Sequence, residues 1–506
     1  MENFFENLEN TLLEREFGLQ TTENGAVAFK STGKALLDLN FAVSSMRNCS
    51  EEEISRKFGA VCDENVENAV VWLFFARDAR QGMGERRLFR VCLRYLADHY
   101  PEITDKVLPL IPEYGRWDDL FVLLDTKVHD AVEKLISDQL VSDLRAGRAG
   151  KSVSLLAKWM PSINSHNRRT RDRAETLARC IGLDRRTYQR LCSHLRKHIN
   201  LVESKMSAGQ WSDIDYSAVP SKANLVYNKA FFRHDEERRK AFLDRVKEGG
   251  AKINASVVYP YEIVRRYMDE SAAYDEDDTL EAMWKALPDF VGDKGGSTIV
   301  VADGSGSMLC PVGGTRVTAL DVANSLAIYF AEHLHGDFHN TYITFSERPQ
   351  IVRLGDGNLA SRLEIAQHHC EIANTNIEAV FNLILSTAVK KGMKQEDIPA
   401  NVLIISDMEF DAAVGYFHQP DLTLFEEIQS RYAARGYQLP RLVFWNVCSR
   451  TMGIPLRENP NGVALVSGFS PAVADMVLSG ELDPFKALMK TLRSPRYQPV
   501  WDAIAV

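Results

Sequence analysis

A carboxylate and two hydroxyls follow a short apolar segment in the second half of the chain. The segment STIVVAD (297–303) is typical of a buried strand, and it leads into Asp303-Gly-Ser305-Gly-Ser307. Oxygen atoms at alternate positions of a tight, glycine-containing loop can converge on one point, which suits a hard cation. The sequence therefore predicts a Mg²⁺ site at the end of this strand, with Mn²⁺ and Ca²⁺ as alternatives.

Two further oxygen donors lie where the same fold would bring them to this rim. Thr375, in ANTNIEAVF, precedes a helical pattern, and Asp407, in LIISDMEF, ends an apolar strand pattern. Ligands of open α/β sheets bind at the carboxyl ends of strands, so we expect both residues to join the first three donors. Glu409 is left out of this set. The alternative, that Asp303 and its serines only cap the helix beginning near Thr318, leaves the presence of Thr375 unexplained.

Strand and helix patterns alternate from residue 297 onward. Continuous apolar strands between amphipathic helices predict a mostly parallel sheet covered on both faces. The segments NTYITF and QIVRL predict a short hairpin within it. The second half of the chain is therefore expected to be a Rossmann-like α/β domain.

This constellation on such a sheet resembles the von Willebrand A family and its metal-ion-dependent adhesion site. The resemblance implies that Asp303, Ser305 and Ser307 bind the metal directly. It implies that Thr375 and Asp407 bind it directly or through water, and that an open position takes a carboxylate of a partner protein. Since no general base is paired with a nucleophile here, we expect docking and no hydrolysis, and we do not predict an enzyme.

Helical patterns fill the chain from about residue 41 to 270. Apolar residues recur at three- and four-residue intervals, for example in VENAVVWLFFARDA (66–79) and ERRLFRVCLRYLADHY (85–100). A succession of short helices with brief turns predicts a HEAT-like α-helical array without a clean repeat period.

A hinge is predicted between the two halves of the chain. An acidic cluster (275–278) and the glycine-rich DKGGS (293–297) bracket a last helix around EAMWKAL. The predicted fold is thus multidomain α and α/β, with domains at residues 1–292 and 293–506. The terminal segment FKALMKTLRSPRYQPVWDAI is expected to be a helix and tail that return to the helical array.

Composition limits the classes of protein that the chain can belong to. The 506 residues carry a net charge of −9, and the eight cysteines show no metal-type or paired spacing. The chain starts with an acidic, amphipathic sequence and has no long uncharged apolar stretch, so we expect no signal peptide and no membrane contact. These features favour a cytoplasmic protein.

One segment of the helical half is strongly basic in spite of the negative net charge. Fourteen Lys and Arg residues and three acidic residues lie between Arg145 and Lys197, which gives the segment a charge of about +11. Such a segment suits contacts with the phosphates of a nucleic acid. The alternative is that its basic faces pair with acidic faces of the same protein.

The order of a helical array and an A-type domain resembles the Ro autoantigen family, whose N-terminal TROVE module is a ring of helical repeats. Local motifs are similar to a bacterial, phage and plant branch of that family whose activity is not known. They are ARDARQGMGERRLF (76–89), LIPEYGRWDDLF (110–121), LLAKWMPSINS (155–165) and WSDIDYSAVPSKANLVYNKAFFRHDEER (211–238).

The Ro resemblance implies binding of small non-coding RNA by the segment 145–197 in a ribonucleoprotein. The RNA-binding residues expected from charge and position are Lys158, His166, Arg168, Arg169, Arg171 and Arg173. The competing hypothesis is a protein-interaction platform whose metal takes an acidic residue of a partner, with no role for RNA. A metal-dependent nuclease is a third hypothesis, and the absence of a paired base argues against it.

Overall fold

The computed structural model describes residues 18–199, 201–269, 276–345, 348–369, 376–411, 423–457, 461–478 and 480–505. These residues belong to two compact units. The sheet unit, as we call it, contains residues 18–53 and 258–494. The helical unit contains residues 54–257 and 495–505.

The elements are numbered along the described chain. The strands are β1 (Leu19–Thr21), β2 (Val27–Phe29), β3 (Thr298–Asp303), β4 (Thr341–Phe345), β5 (Gln350–Arg353), β6 (Asn401–Ser406), β7 (Arg441–Asn446) and β8 (Val463–Ser467). The helices are α1 (Ala35–Phe41), α2 (Glu51–Arg77), α3 (Arg86–His99), α4 (Pro101–Val107), α5 (Ile111–Tyr114), α6 (His129–Arg148), α7 (Leu156–Trp159), α8 (Arg168–Cys180), α9 (Arg185–His198), α10 (Val202–Ser207), α11 (Ser221–Lys247), α12 (Pro260–Asp269), α13 (Asp278–Lys285), α14 (Ala319–His333), α15 (Leu359–His368), α16 (Ile377–Lys391), α17 (Leu424–Ala434), α18 (Ala474–Leu478), α19 (Pro484–Leu492) and α20 (Gln498–Ala505).

The sheet unit is built on a six-stranded sheet in the order β5-β4-β3-β6-β7-β8. The pairs β3–β4, β3–β6, β6–β7 and β7–β8 are parallel, and the edge pair β4–β5 is antiparallel, as the predicted hairpin requires. In sequence rank this is the order 3-2-1-4-5-6 of doubly wound sheets. Its switch point lies between β3 and β6, because the chain leaves these two neighbours toward opposite edges.

Buried residues fill β7 and the edge strand β8, and they also fill helix α14, which packs on β3, β4 and β6. Every residue of β7 and β8 is buried, which is expected of parallel strands with both faces covered. Helix α14 begins at a capping box in which Thr318 accepts a hydrogen bond from the Asp321 amide and Asp321 accepts one from the Thr318 amide. It buries eleven of its fifteen residues.

The compact units divide the chain differently from the predicted domains at 1–292 and 293–506. Helices α12 and α13, which precede residue 293, belong to the sheet unit. They pack on α14 through an ion pair of 3.1 Å between Arg265 and Asp321 and a 2.6 Å hydrogen bond from the Trp284 indole to Glu332. These contacts are long-range in sequence, and the glycines that suggested a hinge lie inside the unit.

The N-terminal segment is also part of the sheet unit. Strands β1 and β2 form an antiparallel hairpin, and α1 follows it and packs near β8. Beyond α1, the Ser44 amide donates to the Ser467 hydroxyl at 2.9 Å, and the Asn446 side chain donates to the Phe41 carbonyl at 2.9 Å. The sheet unit is therefore assembled from two distant parts of the sequence.

The helical unit is held by buried ion pairs between its motifs as well as by apolar contacts. Arg77 and Arg90 both contact Asp119, which is fully buried, at 2.8 and 2.6 Å. Arg77 of the motif 76–89 and Asp119 of the motif 110–121 thus have a structural role here. None of the helices in the described ranges is long and apolar enough to cross a membrane.

The predicted return of the C-terminal segment to the helical array is confirmed for residues 495–505. Arg496 donates to the buried Asp78 carboxylate at 2.7 Å and to Glu113 at 3.1 Å. The Tyr114 hydroxyl in turn donates to the Arg496 carbonyl at 2.6 Å. The structure as a whole is mixed α/β, with a helical region in the N-terminal half and a mixed sheet in the C-terminal half.

Candidate metal centre and basic helical surface

Two predicted metal ligands lie side by side at the switch point of the sheet. Asp303 is the last residue of β3, and Asp407 directly follows β6. The parallel register pairs Ala302 with Ile405, so the two strands end at the same level. This is the place where open α/β sheets bind their ligands.

Asp303 is fully buried, and its carboxylate is oriented by one backbone amide and one hydroxyl. One carboxylate oxygen accepts a hydrogen bond of 2.9 Å from the Ser305 amide, and the other accepts one of 2.6 Å from the Ser406 hydroxyl. The Ser406 hydroxyl also accepts from the Met408 amide at 2.9 Å. Since Met408 has a left-handed backbone (φ 62°), the chain turns sharply after Asp407.

The two serines connect the carboxylates. The hydroxyls of Ser305 and Ser307 are 3.0 Å apart, and each serine side chain lowers the pKa of a nearby carboxyl group against the larger effect of burial, Ser305 that of Asp303 and Ser307 that of Asp407. Four of the five predicted ligands therefore converge. The fifth, Thr375, lies outside the residues that the structure describes.

The electrostatics of the pair fit a divalent cation. Burial raises the pKa of both Asp303 and Asp407, and the neighbouring Asp303 charge raises the pKa of Asp407 further. Two buried like charges are costly without a counterion, and an oxygen-only donor set is the kind that Mg²⁺ prefers. The set depends on hydroxyls, since in the described part of the chain no three His, Cys, Asp or Glu side chains are grouped for a metal.

Glu409 has a different role from its two acidic neighbours. Its buried carboxylate accepts hydrogen bonds from the amides of Glu23, Arg450 and Thr451, at 2.7–2.9 Å, and from the hydroxyls of Ser449 and Thr451. Both oxygens are thus occupied by protein donors. Glu409 ties the turn of the β1–β2 hairpin and the loop after β7 to the end of β6, a role that its sequence context does not signal.

A cation of the protein lies beside the candidate metal centre. The Arg450 guanidinium is 3.4 Å from the Asp407 carboxylate and 2.8 Å from that of Glu23. It offsets part of the negative charge of the centre, and it links Asp407 to the N-terminal hairpin. No local sequence signal points to Arg450 or Glu23, because their relation to Asp407 exists only in the folded chain.

The predicted RNA-binding residues of α8 differ in what they contact. Asn167 caps the helix by accepting from the Thr170 amide at 3.1 Å. The exposed Arg168 is 3.9 Å from Asp172, and the half-buried Arg171 donates to the carbonyls of residues 165 and 166 at 2.8 and 3.0 Å. Arg171 therefore stabilises the turn that leads into the helix.

The remaining predicted residues lie around the same turn. Arg169 and Arg173 are exposed, and their side chains have no hydrogen bond or ion pair with the part of the chain that is described. His166 is exposed in the loop before α8. Lys158, on α7, is half-buried with its amine 5.7 Å from the ring of Trp159. The six residues thus do not form one uniform cationic surface.

Comparison with known families divides the chain near the predicted hinge. Residues 124–296 match a domain of unknown function (DUF2828), and residues 297–491 match a second domain of unknown function (DUF7788). The two matches meet directly before β3.

A relative is similar over nearly the whole chain. Uncharacterized protein L728 of Acanthamoeba polyphaga mimivirus is 28% identical over 526 residues, which cover 96% of this chain and 89% of the relative. The pairing of the two halves in one polypeptide is thus shared with this viral protein.

Proposed function

We propose that this protein is a non-catalytic RNA-binding scaffold of the Ro type. In this proposal the helical unit is a HEAT-like, TROVE-like array that binds small non-coding RNA in the cytoplasm. The sheet unit is a von Willebrand A-type domain that docks a protein partner through Mg²⁺. Among the residues that the structure describes, no base is paired with a nucleophile beside Asp303 and Asp407, and this favours binding over hydrolysis.

The observation that carries the RNA half is the acid-poor, arginine-rich pair of helices α8 and α9. The two helices and the turns before them contain three acidic residues, Asp172, Glu175 and Asp184, and most of their cations are exposed. Arginines that face solvent without an acidic partner are available for phosphate oxygens. This exposure argues against the alternative that the whole basic segment is neutralised within the protein.

The convergence of four oxygen-bearing side chains at the switch point supports the docking half. Asp303, Ser305, Ser307 and Asp407 would hold Mg²⁺, which would offer an open position to a carboxylate of a partner. The resemblance to metal-ion-dependent adhesion sites implies that Thr375, outside the described residues, would be a fifth ligand. The protein platform without RNA is the second candidate, and it uses only this centre.

RNA binding is tested with a fluorescein-labelled 20-nucleotide single-stranded RNA by fluorescence anisotropy from low to physiological salt. We expect the affinity to fall steeply with salt, because each phosphate contact releases counterions. Replacing Arg168, Arg169 and Arg173 together by Gln is expected to weaken binding severalfold at fixed salt. Wild-type protein that fails to bind the RNA at low salt would leave the protein platform as the better candidate.

A further inference from the structure

Helix α9 has one buried face and one polar face that is open to solvent. Tyr188, Cys192 and Leu195 are buried on the first face. The second face lines a shallow groove of about 360 Å³, and its lining residues are Arg186, Gln189, Arg190, Ser193, His194 and Lys197. All six are exposed. The groove therefore presents cations and hydrogen-bond donors from successive turns of one helix.

The structure separates the cations of α9 into two groups. Arg185 pairs with Glu175 at 3.5 Å, and Arg196 donates to two carbonyls of the unit at 2.7 and 2.9 Å. In contrast, the side chains of Arg186, Arg190 and Lys197 make no hydrogen bond or ion pair with any residue in the described ranges. These three charges are not needed to hold the helical unit together.

The spacing of the charges favours an extended anion over a single phosphate. Residues four apart on a helix are about 6 Å apart along its axis, so the groove from Arg186 to Lys197 spans about 16 Å. One phosphate group cannot contact both ends of such a row. Near the end of α9, Gly147 of α6 lies against His198, and the next residue of α6, Arg148, is exposed.

The composition of the groove favours a nucleic-acid backbone over an acidic protein. The cores of protein–protein interfaces are enriched in Phe, Tyr, Trp, Met and Arg and depleted of the other charged residues, and no Phe, Tyr, Trp, Met or aliphatic side chain lines this groove. Arg, Lys, Ser and Gln side chains are those that contact phosphate and sugar. We propose that the exposed face of α9 is the surface on which the helical unit binds the phosphate backbone of RNA.

This proposal rests on the proposed function and extends the contact from the residues expected on α8 to those on α9. The test compares three proteins in the anisotropy assay with the same labelled RNA. They are the wild type, the α9 variant R186Q/R190Q/K197Q and the control variant K486Q/K490Q/R493Q. The control residues lie at helical spacing on or just after α19 and are exposed. Their replacement removes three positive charges, as in the α9 variant.

We expect the α9 variant to bind about tenfold more weakly, and its log–log salt dependence to be shallower by about 2, the value for three lost phosphate contacts on a single strand. The control variant is expected to bind like the wild type. Equal losses in both variants, or no loss in the α9 variant while the wild type binds, would overturn the proposal. Displacement of the RNA by poly-glutamate at the same charge concentration would overturn the choice of RNA backbone as the ligand.

Failure of the proposed function gives a different result from failure of this inference. In the first case the wild type does not bind the RNA at all; in the second it binds, and the α9 substitutions are without effect. We expect each variant to keep its helices, since the three replaced α9 side chains make no hydrogen bond or ion pair with the described residues. Circular dichroism of each variant checks this.

Discussion

At the scale of single residues, the carboxyl groups of Asp303 and Asp407 lie side by side at the switch point of the sheet. Asp303 and Asp407 are both fully buried, and the one nearby guanidinium that the structure describes, that of Arg450, is shared with Glu23. The hydroxyls of Ser305 and Ser307 are 3.0 Å from each other and carry no charge that would neutralise the carboxylates. The free energy of unfolding should therefore depend on whether these two carboxyl groups are protonated.

The stability of the metal-free protein is expected to fall as the pH rises from about 4, the ordinary carboxyl pKa, through the raised pKa of Asp303 and Asp407. The reason is that the folded state holds protons which the unfolded chain has already lost. If the proposed Mg²⁺ site exists, the ion binds the deprotonated pair and should raise the melting temperature more at pH 8 than at pH 5. Differential scanning fluorimetry with EDTA or with Mg²⁺ measures both effects.

The double variant Asp303→Asn/Asp407→Asn is the control for this prediction. It keeps the size of both side chains and removes both titrating groups, so its pH dependence should be weaker and its response to Mg²⁺ absent. A response to Mg²⁺ that is equal at the two pH values, or that persists in the double variant, contradicts the assignment of the metal centre.

At the scale of secondary-structure elements, α2 shows how a local sequence determines a break. The helix is interrupted at Asn65, which has an extended backbone (φ −165°, ψ 106°). Its side chain accepts a hydrogen bond from the Asn68 amide at 2.7 Å, as an N-cap does. Asn65 therefore begins the second half of the helix, the half that carries the apolar run from Ala69 to Ala76.

Replacing Asn65 by Ala is expected to lower the free energy of unfolding by about 1 kcal/mol, because the capped amide loses its acceptor. Asn65→Asp should retain most of the stability, since a carboxylate accepts the same hydrogen bond. Urea unfolding followed by circular dichroism measures the difference. If Asp is as destabilising as Ala, the side chain is not acting as a cap.

The sequence predicts those elements that are determined by a local pattern of apolar residues. It does not predict features that depend on contacts between distant residues. The pattern 66–79 predicts the second half of α2, and the ends of β3 and β6 predict the positions of Asp303 and Asp407. The three-residue strands β1 and β2 carry too short a pattern to predict. Glu409 accepts from Glu23, 386 residues away, and no local signal announces such a partner.

At the scale of the whole molecule, the two compact units are interleaved along the chain. The sheet unit needs residues on both sides of the helical segment 54–257, and the last described residues return to the helical unit. The family matches that meet between residues 296 and 297 follow the change of pattern in the sequence. The boundaries of the compact units are instead determined by long-range contacts, and the pattern of apolar residues along the sequence does not reveal these contacts.

A fragment of residues 293–506 is therefore expected to be unstable, although it matches the predicted domain. It would leave the buried groups of Glu409, Asn446 and Ser467 without the donors and acceptors of the N-terminal segment. At about 1–3 kcal/mol for each unsatisfied group, the loss is comparable with the whole stability of a domain. Limited proteolysis and thermal melting measure it.

The comparison is a chain in which residues 18–53 are joined by a flexible linker to residues 258–494. This chain contains both parts of the sheet unit, and it should melt cooperatively and respond to Mg²⁺. A fragment 293–506 that is as protease-resistant as the joined chain would show that the N-terminal segment is dispensable.

The hydrogen bond between Ser44 and Ser467 joins two residues that the ribosome translates at very different times. The two residues are 423 positions apart, so at about 5–20 residues per second the ribosome needs on the order of 20–80 s to deliver the second after the first. During that time β8 has not been made, so the apolar side chains of α1, such as Leu36 and Phe41, cannot pack against it. The helical segment 54–257 has by then already left the ribosome. The nascent protein is thus expected to depend on a holding chaperone until β8 has been translated.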